Sequence, residues 1–424
     1  MPNTQKEPRK INRVCFLNPH GYVMYPPPLG KTDTGGQTIY EFQLAQALGK
    51  RNIKVDIITR QFDDYPAEEQ VFENVKIVRI PCGPKGFVPK EKMYELIPEM
   101  TDNFMAYIDK SRKKYDIVHS HYWDGGYMGI LVSKMLDLPH IHTPHSLGKL
   151  KRVEMSVEEL SPQKLKPAYR YHVRIALEQR IYSSADAMTV LCETSRIQML
   201  QYYLVDFEKI HVIFPGINIE TYNPIKTADD KKIKFAPNSI LTMCRLVPPK
   251  GIDRLVDALA LIKNRVDFHV YMGGASALEN KGKEEMEQEE TVKSLLKKYR
   301  LEDRTTFLGY VDHESILPTF YRGADIFVNP ARFEPFGLTT LEAMACGTAP
   351  VISRVAGSRE VIVDGLNGFI ADTHDRKSFS QLLLKLFEDT KLRKKVAENA
   401  AFTIKEHYSW DKIVEKFITL YKQI

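Results

Sequence analysis

Short apolar runs bounded by turn residues alternate with amphipathic stretches along almost the whole chain. The runs predict strands at Val14–Leu17, Val55–Thr59, Ile77–Ile80, Ile117–Ser120, Ile141–Thr143, Met188–Leu191 and Val212–Phe214. Between them, apolar residues at helical spacing predict helices such as Gln37–Arg51 and Tyr171–Ser183. A second series predicts strands at Ile240–Met243, Phe268–Tyr271, Thr306–Leu308, Ile326–Val328, Val351–Ile352 and Gly368–Ile370, with helices at Asp253–Lys263 and Leu338–Ala345. Strict alternation of strand and helix implies right-handed crossovers and parallel sheets. The chain therefore reads as α/β, with two doubly wound, Rossmann-like domains facing a cleft. The stretch Asn218–Asn238 has mixed charge, Pro224 and Pro237, and no apolar period, so it reads as their connection. The expected division is 1–220, 221–407, and a final amphipathic segment 408–424 carrying Ile413, Phe417, Leu420 and Tyr421. In doubly wound sheets ligands sit beyond the carboxyl ends of the strands, so the residues that follow each strand are where chemistry is sought.

Composition narrows the classes. Across 424 residues, 43% hydrophobic and 27% charged is an ordinary globular balance that excludes a disordered chain. The net charge of +6 is spread out, and its basic clusters (Lys110 to Lys114, Lys149 to Arg152) are short. Such clusters suit an anionic small molecule better than a nucleic acid. The five cysteines are far apart, without a C-x-x-C, which excludes a zinc ribbon and fits a reducing compartment. No apolar run approaches the roughly 20 residues that span a bilayer. The basic start leads only into Val14–Leu17, too short for a signal-peptide core, so a cytoplasmic protein is expected.

Three loops carry candidate chemistry. After the first strand, Thr32-Asp33-Thr34-Gly35-Gly36-Gln37 opens a helix, where free N–H groups and the helix dipole favour an anion. Without further context the same residues are a turn and an N-cap. No G-x-G-x-x-G occurs, which disfavours a dinucleotide-dependent oxidoreductase. After the strand Ile240–Met243 come Arg245 and Lys250, five residues apart and able to reach one diphosphate; elsewhere such a pair is two solvated charges. After Ile326–Val328, Glu334 lies in a loop and Glu342 in the following helix, whose start at Gly337–Thr339 offers N–H groups to a phosphate. Carboxylates beside a phosphate site make sense as acceptors from sugar hydroxyls; taken singly, each is a surface or capping charge.

Here the motifs reach a family. Arg245…Lys250 followed by Glu334-x7-Glu342 resembles the donor site of retaining GT-B glycosyltransferases of family four. Further segments, including Thr32 to Gln37, Arg79 to Gly83, Val88 to Glu91, His121 to Asp124 and His145 to Gly148, resemble the sucrose-phosphate synthase and mannosylfructose-phosphate synthase group. The resemblance covers nearly the whole chain. It implies that Arg245 and Lys250 neutralise the diphosphate, that Glu342 binds the ribose, and that Glu334 meets hydroxyls of the transferred sugar. Gly36, Phe336, Gly337 and Leu338 would approach phosphate and sugar, and His145 would contact the donor sugar near the reaction centre. On the acceptor side it implies Gln37, Lys90, Tyr122, Ser146, Lys151 and Arg174, with Lys149 and Arg152 competing for the role of Lys151. The final segment crosses back to the first domain in relatives.

The implied activity is hexosyl transfer from GDP-mannose or UDP-glucose to a sugar phosphate, with fructose 6-phosphate preferred. No cofactor and no protein-held metal are expected, although a free divalent cation is compatible. His119, His121, His140, His142 and His145 lie close in sequence, and H-x-H on a strand puts both rings on one face, but the sequence offers no evident third ligand. The alternatives are another phosphorylated acceptor, such as a glycosyl-phosphoglycerate, a lipid glycosyltransferase whose basic stretch Phe104–Tyr115 lies on an anionic bilayer, a sugar-nucleotide sensor and an epimerase.

Overall fold

The computed structural model describes residues 9–28, 31, 33–158, 170–225, 233–274 and 282–424. Thr32, Leu29 and Gly30, and part of the expected connection, lie outside them, as do the side chains of 154–158. The chain forms two compact units, the first ending at Gly216 and resuming at Asp411–Ile424, the second spanning Ile217–Trp410 with a short piece near residue 30.

The first unit is built on an eight-stranded sheet: β1 (Arg13–Leu17), β2 (Lys54–Gln61), β3 (Glu68–Phe72), β4 (Val75–Pro81), β5 (Ile117–His121), β6 (His140–Thr143), β7 (Ala187–Val190) and β8 (Ile210–Val212). Their order is β3-β4-β2-β1-β5-β6-β7-β8. All neighbours are parallel except β3, which runs antiparallel to β4. Strict alternation thus fails once. The sequence Glu-Glu-Gln-Val-Phe of β3 is polar and only partly covered, so it carries no apolar run to betray it. The last strand lies two residues before its expected place.

Cys15 and Leu17 of β1, Ile58 of β2, Val78 of β4 and Val118 of β5 are all but fully buried, packed against Met100, Phe104 and Ile108 of the helix Ile97–Ser111. The apolar face of the basic stretch is therefore spent on the core, and the bilayer-surface reading of Phe104–Tyr115 is corrected accordingly. Among the described residues no helix is long and apolar enough to cross a membrane. The helix Trp410–Gln423 buries Ile413, Val414, Phe417 and Tyr421, and the Tyr421 hydroxyl lies 2.7 Å from Nδ1 of His119 on β5.

The second unit holds β9 (Ser239–Met243), β10 (His269–Gly273), β11 (Thr305–Gly309), β12 (Ile326–Asn329), β13 (Ala349–Ser353) and β14 (Phe369–Ala371), in the order β11-β10-β9-β12-β13-β14, all parallel. Ile240, Val270, Ile326 and Val328 pack against Leu255 and Leu259 of the helix Ile252–Ile262 and against Phe379 and Leu383 of the helix Arg376–Glu388. The strand order reverses between β9 and β12. Their carboxyl ends are where a doubly wound sheet receives its ligand, and Arg245 and Glu334 follow those two ends.

Candidate active site

In the second unit, two loops are stapled together. Gly251 has φ +65°, and a Cβ there would lie 2.3 Å from the carbonyl oxygen of Pro330, so only glycine lets the β9 loop approach the β12 loop this closely. Arg332 fastens the same contact: its backbone N–H donates to Pro249 O (2.8 Å), and its guanidinium reaches Pro248 O (3.0 Å) and Asp253 Oδ1 (2.6 Å). The result is an ion pair between Lys250 Nζ and Glu334 Oε2 at 2.7 Å. Burial works against the Lys250 ammonium, but the Glu334 carboxylate outweighs it and lifts the pKa above its ordinary value. Arg245 is exposed, and among the described residues its side chain has no hydrogen bond or ion pair of its own. The site thus has one tethered cation and one available cation.

Gly337, at φ +97°, starts the helix Leu338–Ala345, and the Phe336 carbonyl accepts from Ser358 N (2.8 Å). Phe336 is buried at 3% exposure, so its side chain supports the loop and only its backbone remains to meet a ligand. Glu342, on that helix, is also buried. Its Oε1 lies 2.9 Å from His313 Nε2 and its Oε2 accepts from the Tyr321 hydroxyl at 2.9 Å.

In the first unit, the predicted acceptor residues gather around Arg174. Its Nη1 donates to the Tyr122 hydroxyl (2.9 Å), and Nη2 to the Ser146 carbonyl (2.9 Å) and hydroxyl (3.1 Å). Nε donates to Glu178 Oε1 (2.7 Å). Burial opposes the charge on Arg174, and Glu178 overrides it, so the guanidinium stays ionised. Lys90 stands near Tyr122 and is ion-paired with Asp33, whose carboxylate also accepts from Lys90 N at 3.1 Å. Burial raises the Asp33 pKa, but Lys90 and then His20 lower it further, leaving it below the usual carboxylate range.

Tyr122 (φ +62°) and His145 (φ +56°) both occupy the left-handed region. The region is uncommon for any residue but glycine, least so for His and more so for a bulky Tyr, at a cost of about 1–3 kcal/mol, and such outliers persist where the surroundings over-determine them. Both lie at carboxyl ends of strands, after β5 and β6.

Other expected residues fall elsewhere. Gly36 opens the helix Gly36–Gly49 and is exposed, as a site for an anion requires. Gln37 turns its amide to Glu41 Oε1 (2.8 Å). Lys151 sits half-buried on the helix Gly148–Glu158. Its competitor Lys149 is drawn away, its Nζ donating to Tyr202 O at 2.6 Å.

His145 stacks no charge of its own: burial, then the nearby His20, pushes its pKa down to about 3, so it is a neutral hydrogen-bonding ring. Its Nε2 lies 3.1 Å from Nδ1 of His121. The third group that the sequence did not offer is Glu41, whose Oε1 lies 3.9 Å from His145 Nε2 and 4.0 Å from His121 Nδ1. The carboxylate is held by amides, Asn18 Nδ2 at 2.6 Å and Gln37 Nε2 at 2.8 Å, while the buried His121 Nε2 has no hydrogen-bond partner among the described residues. Burial pushes Glu41 up to about 8.

Several functional candidates escaped the sequence. His20 pairs with Asp124 at 2.9 Å in a buried contact, and Asp124 outweighs burial to hold His20 above its ordinary value. Glu178 receives Gly148 N (2.9 Å) and the Tyr203 hydroxyl besides Arg174, thereby fixing the loop that carries Ser146. Of these, Glu178 had a sequence signal in its i, i+4 spacing from Arg174, and Asp124 lies in the family-like segment His121 to Asp124.

Comparison with known proteins agrees with this geometry. The family described as Glycosyltransferase Family 4 matches residues 34–221, and the one described as Glycosyl transferases group 1 matches residues 225–402. Mannosylfructose-phosphate synthase of Agrobacterium fabrum is 34% identical over 98% of this chain and 92% of its own. A D-inositol 3-phosphate glycosyltransferase of Xylanimonas cellulosilytica is 28% identical over 97% of this chain and 96% of its own. The solved sucrose-phosphate synthase of Thermosynechococcus elongatus superposes with a TM-score of 0.83 at 26% identity, covering 97% of this chain and 98% of that one. With both sheets wound as in these enzymes and the cations and carboxylates at their carboxyl ends, the chain belongs to the family-four glycosyltransferases and is a hexosyltransferase of the GT-B fold.

Proposed function

We propose that the protein moves a hexosyl group, with retention, from GDP-mannose or UDP-glucose to a sugar phosphate, fructose 6-phosphate being the preferred acceptor. The observation that carries this reading is the convergence of Arg174, Tyr122, Ser146 and Lys90 in the first unit. Two cations from separate segments, flanked by two hydroxyls, suit a phosphate dianion. Lys151, on the helix Gly148–Glu158, is the further cation expected in the set. The likeness to a mannosylfructose-phosphate synthase and to a sucrose-phosphate synthase supports the choice of acceptor.

On the donor side, Arg245 and Lys250 would meet the diphosphate, Glu342 the ribose, and Glu334 the hydroxyls of the transferred sugar. The backbone around Phe336, Gly337 and Leu338, together with Gly36, would approach phosphate and sugar. Lys250 is held by Glu334 before any ligand arrives, so the carboxylate both tethers the cation and remains able to accept from a sugar hydroxyl. As the bond from the anomeric carbon to the phosphate oxygen breaks, negative charge grows on the diphosphate, and preorganised cations stabilise it. The acceptor oxygen forms its bond on the same face, and its proton passes to the departing phosphate oxygen. No protein nucleophile or protein-held metal enters the step. His145, neutral at working pH, would donate a hydrogen bond to the donor sugar without adding charge.

The deciding experiment is a matrix of UDP-glucose, GDP-mannose and ADP-glucose against fructose 6-phosphate, inositol 3-phosphate and 3-phosphoglycerate, with unphosphorylated fructose and inositol as controls. Turnover with fructose 6-phosphate and none with fructose is expected. Equal rates with and without the phosphate would end the reading. Inositol 3-phosphate is the second acceptor to weigh, because a relative carries that activity in its name.

A further inference from the structure

Glu342 is the carboxylate proposed above for the ribose, yet neither of its oxygens is free of the protein. His313 Nε2 lies 2.9 Å from Oε1, and the Tyr321 hydroxyl lies 2.9 Å from Oε2. His313 comes from the loop after β11, Tyr321 from the helix Leu317–Gly323, and Glu342 from the helix Leu338–Ala345. The loop that presents His313 is itself fixed. The Tyr222 hydroxyl donates to the His313 carbonyl at 2.7 Å, and the Tyr222 ring lies 5.4 Å from the imidazole. Asp312 holds the turn by accepting from Ser315 N at 2.8 Å, while its carbonyl accepts from Leu317 N at 2.9 Å. The side chains of His313 and Glu342 are 11% and 4% exposed.

We propose that His313 is a positioning residue for the donor's ribose, fixing the carboxylate of Glu342 so that its remaining acceptor sites face the sugar diol. This rests on the donor reading given above. A carboxylate offers about four acceptor sites. One donor on each oxygen leaves one site on each, which matches two vicinal hydroxyls. Holding the carboxylate in place before the nucleotide arrives removes the ordering cost from binding. A buried carboxylate with no donors would instead carry the full cost of desolvation. Burial opposes a charge on His313, and the carboxylates around it, Glu342 foremost, lift its pKa above the ordinary value.

The test measures nucleoside diphosphate binding by calorimetry on the full chain, using UDP, GDP and ADP with their 2′-deoxy counterparts. The wild type is expected to prefer the ribose form of its nucleotide by about tenfold or more, the range of one hydrogen bond to a charged group. In His313→Ala that preference should fall toward unity, while His313→Gln, whose amide still donates, should restore most of it. Tyr321→Phe removes the other donor and should move the ratio the same way. A residue with a merely structural role would weaken both nucleotides equally and leave the ratio unchanged. An unchanged ratio in both His313→Ala and Tyr321→Phe overturns the proposal while leaving the donor reading intact. Failure of the wild type to bind any of the nucleotides would overturn the donor reading, and this proposal with it.

Discussion

Arg174 and Glu178 meet at 2.7 Å one helical turn apart, with side chains only 4% and 1% exposed, and the same carboxylate receives Gly148 N at 2.9 Å. One buried anion thereby orients the guanidinium and fixes the loop bearing Ser146. Removing one partner of a buried pair leaves the other uncompensated, at about 3–5 kcal/mol. Glu178→Ala is expected to lower the thermal midpoint by several degrees and to weaken the phosphorylated acceptor at the same time. A wild-type melt in this variant would show that Glu178 contributes nothing to the first unit.

Of the two substrates, Lys90 and Arg174 are expected to act on the acceptor. Lys90→Ala and Arg174→Ala should raise the KM for fructose 6-phosphate at least about tenfold, the scale of a charge-assisted hydrogen bond, and leave the donor KM within about twofold. Steady-state kinetics with each substrate varied in turn is the measurement. Equal losses for donor and acceptor would remove these residues from the phosphate site.

Gly251 tests the stapled loops of the second unit. At φ +65°, with a carbonyl oxygen 2.3 Å from where a Cβ would stand, alanine must push the β9 and β12 loops apart. Lys250 and Glu334 lie on those loops, so Gly251→Ala should cut donor-side kcat/KM more than the direct variant Arg245→Lys does. A left-handed residue other than glycine adds about 1–2 kcal/mol of strain, visible as a lower melting temperature. Unaltered kinetics would mean the loops tolerate separation.

How far these sites were legible depended on whether the signal was local. Apolar runs such as Ile326–Val328 announce buried parallel strands because both faces are covered. Glu68–Phe72 was silent because an edge strand with polar residues has no such run. Motif residues such as Arg245, Lys250 and Glu334 could be placed because each directly follows a strand or its loop. The buried contacts of the first unit were not readable: Glu41 lies 80 residues from His121, and His20 lies 104 from Asp124. Neither pair follows any period, since only the packing of one strand end beside another joins them. Phe104–Tyr115 shows the converse error, an amphipathic pattern that means core as readily as membrane.

The buried histidines give the protein a pH signature with a definite sign. His119, His121, His140, His142 and His145 all have their pKa lowered, first of all by burial, His140 and His145 to about 3. In the unfolded chain each takes up a proton near 6.5, so the unfolded state binds more protons below that pH. Their contribution to stability is whole above about 6.5 and is lost progressively as pH falls below it, by at most about 1.4 kcal/mol per pH unit for each ring. Glu41 runs the other way. Its folded value of about 8 stands above the ordinary 4.5, so its contribution is present below 4.5 and is lost as pH rises to 8. His20 and His313, both raised, add to the loss on the alkaline side. The thermal midpoint should therefore peak near pH 6.5, drop steeply toward pH 5 and decline gently toward pH 8. Glu41→Gln, which removes the titrating proton and keeps a neutral side chain in place, should flatten part of the alkaline decline and steepen the acid limb, which Glu41 partly offsets between about pH 4.5 and 6.5. Melting curves taken from pH 5 to 9 on both proteins check this, and an acid limb no steeper than the alkaline one would show that the five rings are not held neutral by burial.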